Sequence, residues 1–206
     1  KNIRSKLSDL VVDNIRVPQG RILIDLPDDS IQACTSLLQE VPGIASFSIG
    51  ISVKRDFDSI AEWGIRWIKP LLDKKKKLKF CVRTQRSDKS FQFNSMECDR
   101  EIGARILQEF HLKGLTVSIS EPEFVIEVEI GLDETVVFNN RVAGIRGLPV
   151  GSAGPVLSLL SGGIDSPVAS FRMIKRGCQV NFIFFENRPF LGRAGYDKVV
   201  RLIKCL

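Results

Sequence analysis

Apolar residues recur at helical spacing from the start of the chain. Ile3, Leu7, Leu10, Val11 and Ile15 share roughly one face, which predicts a helix over 2–16. A turn at Pro18, Gln19 and Gly20 follows, and 21–26 read as a strand. Asp28, Asp29 and Ser30 supply the cap of a helix that runs to about Val41 and stops at Pro42 and Gly43. Residues 44–53 read as a second strand. Helix, strand, helix, strand is the order of a ferredoxin-like half without its first strand, so the chain is expected to begin inside a domain.

The middle of the chain alternates again. Asp56 or Asp58 caps a helix carrying Phe57, Ile60, Ala61, Ile65 and Ile68, predicted to end near Pro70. Residues 78–84 read as a strand. Asn94 or Ser95 caps a helix from about Met96 to Leu112, closed by Gly114. Strands are expected at 117–120, 123–130 and 135–142. In the second of these, Phe124, Ile126, Val128 and Ile130 face one way, and Glu127 and Glu129 the other. Residues 144–154 are rich in glycine and proline and read as a linker. Beyond them a buried strand at 156–160, a helix from Pro167 to about Arg176 and an apolar strand at 180–185 make a βαβ unit with a parallel sheet. A last helix starts near Asp197. The expected class is therefore mixed, α+β followed by α/β.

Composition narrows the setting. No window approaches the run of about 20 apolar residues that crosses a bilayer, and the first residues carry no signal core. An intracellular, cytoplasmic protein with no membrane partner is expected. The five cysteines (Cys34, Cys81, Cys98, Cys178, Cys205) are scattered, without a C-x-x-C pair, which argues against a disulfide scaffold or a zinc ribbon. One histidine, His111, makes a poor metal site alone. The net charge is +6 and the pI about 9.2. Residues 66–113 hold 13 Lys/Arg against 6 Asp/Glu, residues 114–150 hold 2 against 6, and residues 151–206 hold 8 against 3. Such segregation suits a nucleic-acid face, and ordinary polar proteins also show it.

The segment that carries chemistry is Ser161, Gly162, Gly163, Ile164, Asp165, Ser166 and Pro167. A buried strand delivers the chain to a tight turn. Two glycines let main-chain N–H groups approach an anion, and the following helix points its positive end at the same place. Ser161 and Ser166 add hydroxyls. The G-K-[ST] ending of a Walker loop is absent. The plain alternative stays open: Asp165, Ser166 and Pro167 are also an ordinary capped helix start.

Ser161-Gly162-Gly163-Ile164-Asp165-Ser166 after an apolar strand resembles the SGGxDS loop of the PP-loop ATP pyrophosphatases. The continuation Pro167-Val168-Ala169, Lys175-Arg176-Gly177 and the preceding Gly147 to Gly151 stretch resemble one branch, the tRNA 4-thiouridine synthases or tRNA sulfurtransferases (ThiI). Arg83, Arg86, Asp88, Lys89, Ser90, Phe91, Ser95, Met96, Glu97 and the run Arg100 to Gly103 resemble a THUMP domain. The resemblance implies a ferredoxin-like part at 1–54, a THUMP RNA-binding part at 55–146, a linker at 147–155 and an incomplete PP-loop domain of the adenine-nucleotide α-hydrolase type at 156–206.

It implies an ATP-dependent tRNA sulfurtransferase that adenylates uridine 8 and installs 4-thiouridine, with a further role in supplying sulfur for thiamine biosynthesis. ATP and Mg2+ are the implied cofactors. Ser161 and Asp165 would be catalytic. Ser161, Gly162, Gly163, Ile164, Asp165, Ser166 and Phe185 would hold the nucleotide, with Asp165 nearest the metal. Phe185 enters only by its place at a strand end, where parallel sheets form ligand crevices. The implied partners are tRNA and a persulfide donor such as a cysteine desulfurase, with a homodimer left open.

For RNA, the candidate phosphate contacts are Lys74, Lys75, Lys76, Lys77, Arg83, Arg86, Lys89, Arg100 and Arg105. The lysine run also reads as a solvated connection, and Arg105 could pair with Glu101 or Glu109 at helical spacing. Two other functions stay open: a non-catalytic RNA-binding fragment, and a PP-loop enzyme acting on a small substrate.

Overall fold

The computed structural model describes residues 2–18, 21–88, 90–110, 113–132, 134–186 and 193–206. The turn residues Gln19 and Gly20, the RNA-contact candidate Lys89, His111 and Asn187 lie outside them. The architecture is mixed α/β, as the pattern predicted, and the chain divides into two compact units: Lys1–Phe47 with Val142–Leu206, and Ser48–Arg141.

In the second unit the strands are β4 (Gly50–Val53), β5 (Leu78–Arg86), β6 (Leu115–Val117), β7 (Phe124–Ile130) and β8 (Thr135–Phe138), ordered β4-β8-β7-β5-β6. β5 runs parallel to β6 and β7, while β7–β8 and β4–β8 are antiparallel. The period-two pattern decides which face is covered: Phe80, Val82, Ile126, Val128 and Ile130 are buried, and Arg83 and Gln85 are exposed. Helices α3 (Phe57–Lys74) and α4 (Ser95–Glu109) cover the apolar face with Ile60, Ile68, Ile102 and Ile106, each at most 1% exposed. Burying each such side chain contributes about 1.5–3 kcal/mol. Gly64 lets α3 come close, since a Cβ there would lie 2.7 Å from Cδ1 of both Ile106 and Ile126.

The caps are local and specific. Asp56 accepts from the Ser59 N–H at 2.7 Å, and Asn94 and Glu97 form a reciprocal capping box. Helix α3 does not stop at Pro70 but runs four residues further. Pro70 is exposed, and on a solvent-facing side of a helix the carbonyl left free by the missing N–H has access to water. Lys74 is thus helical rather than part of a connection.

In the first unit α1 is only Asn2–Lys6. The predicted helix over 2–16 is overturned beyond that turn: Asn14–Arg16 (β1) pairs antiparallel with Leu23–Asp25 (β2). The ladder takes β-branched Ile15 opposite Ile24, a long-range pairing that helical spacing cannot reveal. Arg16 and Asp25 close its end through a bidentate ion pair. Helix α2 (Ile31–Gln39) follows a 3-10 turn at Asp28–Ser30, and Ser30 sits at the N-cap position without a side-chain bond. Leu7, Cys34 and Leu38 make the small core here.

The single strand expected at 44–53 is two. Ser46–Phe47 (β3) pairs with Val142–Ala143 (β9), while β4 joins the five-stranded sheet. The same break splits 135–142 into β8 and β9. The stretch after β9 is tied down despite its glycines. Arg146 N–H donates to Ile44 O at 2.8 Å, Leu148 N–H to Lys175 O at 2.8 Å, and Gly151 and Ala153 N–H groups to Gly177 O at 2.8 and 3.0 Å. Gly147 is required there: its φ is +89°, and a Cβ would meet Lys175 O at 2.3 Å. The chain ends in β10 (Val156–Leu159), α5 (Asp165–Lys175), β11 (Val180–Ile183) and α6 (Arg193–Cys205), with β10 parallel to β11. No helix among the described residues is long and apolar enough to cross a membrane.

Candidate functional site

β10 leads into the loop through Leu160, which is buried and donates its N–H to Ile183 O at 2.9 Å. This bond puts the carboxyl ends of β10 and β11 side by side, with the 161–166 loop leaving from one of them. Within the loop, the Ser166 hydroxyl accepts from Ser161 N–H at 2.9 Å and lies 3.0 Å from Ser161 Oγ. Gly163 N–H donates to Ser161 Oγ at 3.3 Å. The two serines therefore staple the loop's ends together rather than standing as free donors.

The capped-helix alternative for Asp165 does not hold. Asp165 is the first residue of α5, the N-cap position is Ile164 in a helical conformation, and no side chain caps the end. The leading N–H groups of α5, which have no intrahelical partner by construction, are left for something outside the helix. The positive end of the helix dipole adds to the same point. Asp165 itself is exposed. A shallow open depression beside it is lined by Ile164, Asp165, Val168, Ala169 and Arg172.

Two serines not singled out from the sequence hold this geometry. Ser170 is fully buried, donates to Ser166 O at 2.8 Å and lies 2.8 Å from Ser158 Oγ on β10. It ties the first turn of α5 to the strand that feeds the loop. The spacing Ser166 to Ser170 is a helical i to i+4 step, the only local signal that could have found it. Phe185 follows β11 and is 73% exposed, so its ring is free to stack.

No cysteine among the described residues looks reactive in the core. Cys34, Cys81, Cys98 and Cys178 are buried, and burial pushes the thiols of Cys34, Cys81 and Cys98 above their usual range. Cys205 is exposed on α6.

In the other unit the basic candidates separate. Lys74, Lys76 and Lys77 are exposed beside the start of β5, and Lys75 is held by Glu123 at 3.0 Å. Arg83 and Arg86 lie at the other end of the strand, roughly 20 Å away at about 3.3 Å per residue. Arg100 joins this second group, because its neighbour Asp99 accepts from Thr84 N–H at 2.7 Å. Arg83 and Arg100 are exposed. Arg86 is half-buried and donates to Phe91 O at 3.2 Å, with its Nε buried and unpartnered. Arg105 is engaged by Glu101 at 2.7 Å and Asp58 at 2.8 Å and lies over the Phe57 ring, which realises its pairing alternative.

Asp88 and Ser90, near Arg86, are tied together. Buried Asp88 accepts from Ser90 Oγ at 2.6 Å and Ser90 N–H at 2.8 Å, and pairs with Arg55, which stacks over Phe91. The Ser90 hydroxyl first, then Arg55, hold the Asp88 carboxyl down at about 2.

Residues 1–48 match the ThiI ferredoxin-like domain, 54–139 the THUMP domain and 151–206 the thiamine biosynthesis protein (ThiI) model. The two ThiI models between them cover half of the chain. The chain is 35% identical, over its whole length, to a probable tRNA sulfurtransferase of Halothermothrix orenii and 36% identical, over 97%, to one of Natranaerobius thermophilus. It spans 52% and 49% of those relatives, about half their length. A crystal structure of a 4-thiouridine synthetase–RNA complex with bound ATP superposes with a TM-score of 0.78 at 31% identity, covering 98% of this chain and 52% of that one. A protein from Pyrococcus horikoshii Ot3 shares the fold, with a TM-score of 0.85 at 24% identity, covering 99% and 67%.

Proposed function

The chain belongs to the ThiI family, and from that membership we propose that its protein is an ATP-dependent tRNA sulfurtransferase that makes 4-thiouridine. The observation that carries this reading is the uncapped start of α5 behind the stapled 161–166 loop. In the proposed reaction the uridine C4 oxygen, at position 8, attacks the α-phosphorus of ATP. The bond to pyrophosphate breaks, the terminal sulfur of a persulfide then attacks C4 and displaces AMP, and a second thiol attacks the donor's inner sulfur, breaking the S–S bond to release 4-thiouridine and leave a disulfide. The chemical demand is to neutralise charge growing on the leaving pyrophosphate. We assign this to the main-chain N–H groups of Gly162, Gly163 and Ile164 and the tip of α5, the Gly163 N–H exchanging its 3.3 Å bond to Ser161 Oγ for the phosphate, with the Ser161–Ser166 contact holding the loop in shape.

Asp165 is the carboxylate fit to hold magnesium. No group of three metal-binding side chains exists among the described residues. One carboxylate suits an ion that takes its other ligands from water and phosphate. Such an ion would supply further charge neutralisation at the pyrophosphate. Phe185 offers a face for adenine.

For tRNA, the cluster at the end of β5, Arg83, Arg86 and Arg100, is the proposed backbone contact, with Lys74, Lys76 and Lys77 as a separate basic surface. RNA work thus falls to 55–146 and nucleotide work to 156–206. A persulfide donor is the required co-reactant, and the proposed setting is the cytoplasm. The family description also extends the proposal to thiamine biosynthesis.

The test is AMP and pyrophosphate release from ATP by the full-length protein with and without unmodified tRNA. The proposal expects release that needs tRNA. ATP binding with no tRNA dependence would move the reading to a small substrate, and tRNA binding with no ATP affinity to a non-catalytic RNA binder.

A further inference from the structure

We propose that Lys198 is a pyrophosphate-binding residue, supplying the side-chain cation that the 161–166 loop lacks. This rests on the nucleotide reading above. The loop contains no lysine, unlike a Walker loop. Helix α6 brings one from outside. The Cδ of Lys198 lies 3.8 Å from the point where a Cβ on Gly162 would stand. The stem of the lysine thus passes close beside the loop, within touching distance of where a side chain at 162 would begin, and its ammonium is two bonds further along.

The rotation of α6 is what puts it there. Val199 is 2% exposed and anchors the helix, and Val200 and Leu202 are half-buried, so Lys198 emerges at the edge of the buried face. Among the described residues no carboxylate forms an ion pair with Lys198, and the side chain is exposed. An unpaired ammonium on a flexible stem, next to two glycines and an uncapped helix start, is a mobile counter-charge for an anion. Its partner is the polyphosphate end of the nucleotide, because the loop beside it offers main-chain N–H groups.

The distinguishing experiment is calorimetry on the full-length protein with Mg2+, titrating pyrophosphate, ATP and AMP separately. Lys198→Met is expected to weaken pyrophosphate and ATP by about 10- to 150-fold, the range of one charge-assisted hydrogen bond. AMP binding and the thermal midpoint should stay as in the wild type, and Lys198→Arg should restore most of the loss. Lys204→Met, further along the same helix, is the charge control and should leave all three titrations unchanged. Wild-type pyrophosphate affinity in Lys198→Met overturns the assignment. So does an equal loss in Lys204→Met, which would mark a general field effect. If the unaltered protein binds neither ATP nor pyrophosphate, the nucleotide reading itself fails, a different result from either.

Discussion

Gly163→Ala separates what the loop needs in order to fold from what it needs in order to bind. Gly162 and Gly163 are not among the glycines with positive φ. A Cβ on Gly163 would sit 3.4 Å from Ser161 Oγ, and one on Gly162 would meet only Lys198 Cδ at 3.8 Å. Both are ordinary contacts, so the protein without ligand gives no steric reason for glycine at either position. Replacing glycine by alanine at a compatible backbone raises stability by about 0.4–1 kcal/mol through the unfolded chain. An added methyl does, however, occupy the space through which a phosphate reaches the main-chain N–H groups. Losing one charge-assisted hydrogen bond costs about 1.5–3 kcal/mol, or roughly 10- to 150-fold in affinity. The assay pairs thermal unfolding with ATP calorimetry on the full-length protein. Unfolding should be unchanged or slightly later, and ATP binding should collapse. Gly163→Ala that is folded and binds ATP like the wild type refutes the reasoning, and one that unfolds shows the glycine to be structural.

Other outcomes follow from particular contacts. Asp88→Asn should destabilise the protein at neutral pH. The folded Asp88 carboxyl is held at about 2 against an ordinary 3.8, so its contribution is complete above about pH 4 and is lost as pH falls towards 2. Thermal midpoints of wild type and Asp88→Asn should therefore converge between those pH values, and a constant gap would contradict the assignment. Gly64→Val pushes into Ile106 and Ile126 and should cost about 1–3 kcal/mol in urea unfolding; no change there would mean that the α3 contact is loose. Arg100→Ala should lower the salt slope of tRNA binding by about one, whereas Arg105→Ala should leave the slope alone and cost about 0–1 kcal/mol of stability. Equal slopes for both would undo the distinction drawn between an exposed and an ion-paired arginine.

Local chemistry was legible where one segment decides its own structure. The Asp56 and Asn94 caps, the alternation along β7 and the strand–loop–helix order at 156–175 all follow from neighbours within a few residues. What escaped needed distant partners. Residues 14–16 carry part of a helical stripe, yet pair with 23–25. Residues 44–53 read as one strand because both halves are extended, but β3 and β4 answer to different partners, β9 and β8. Pro70 looked like a stop because helix rules ignore which side faces water. At the candidate site the glycines and Asp165 were visible as a motif. The Ser158–Ser170 tie and the approach of Lys198 were not, since each depends on how a helix rotates against the sheet. The Asp165 cap failed for a local reason: the chain enters α5 one residue earlier, with Ile164 in the cap position.

The most direct test of the nucleotide site is an amide NMR titration of the folded full-length protein with magnesium pyrophosphate. The account predicts saturable shifts concentrated at Gly162, Gly163, Ile164 and Asp165. Signals that stay fixed at those four residues, in a protein that remains folded, would contradict it.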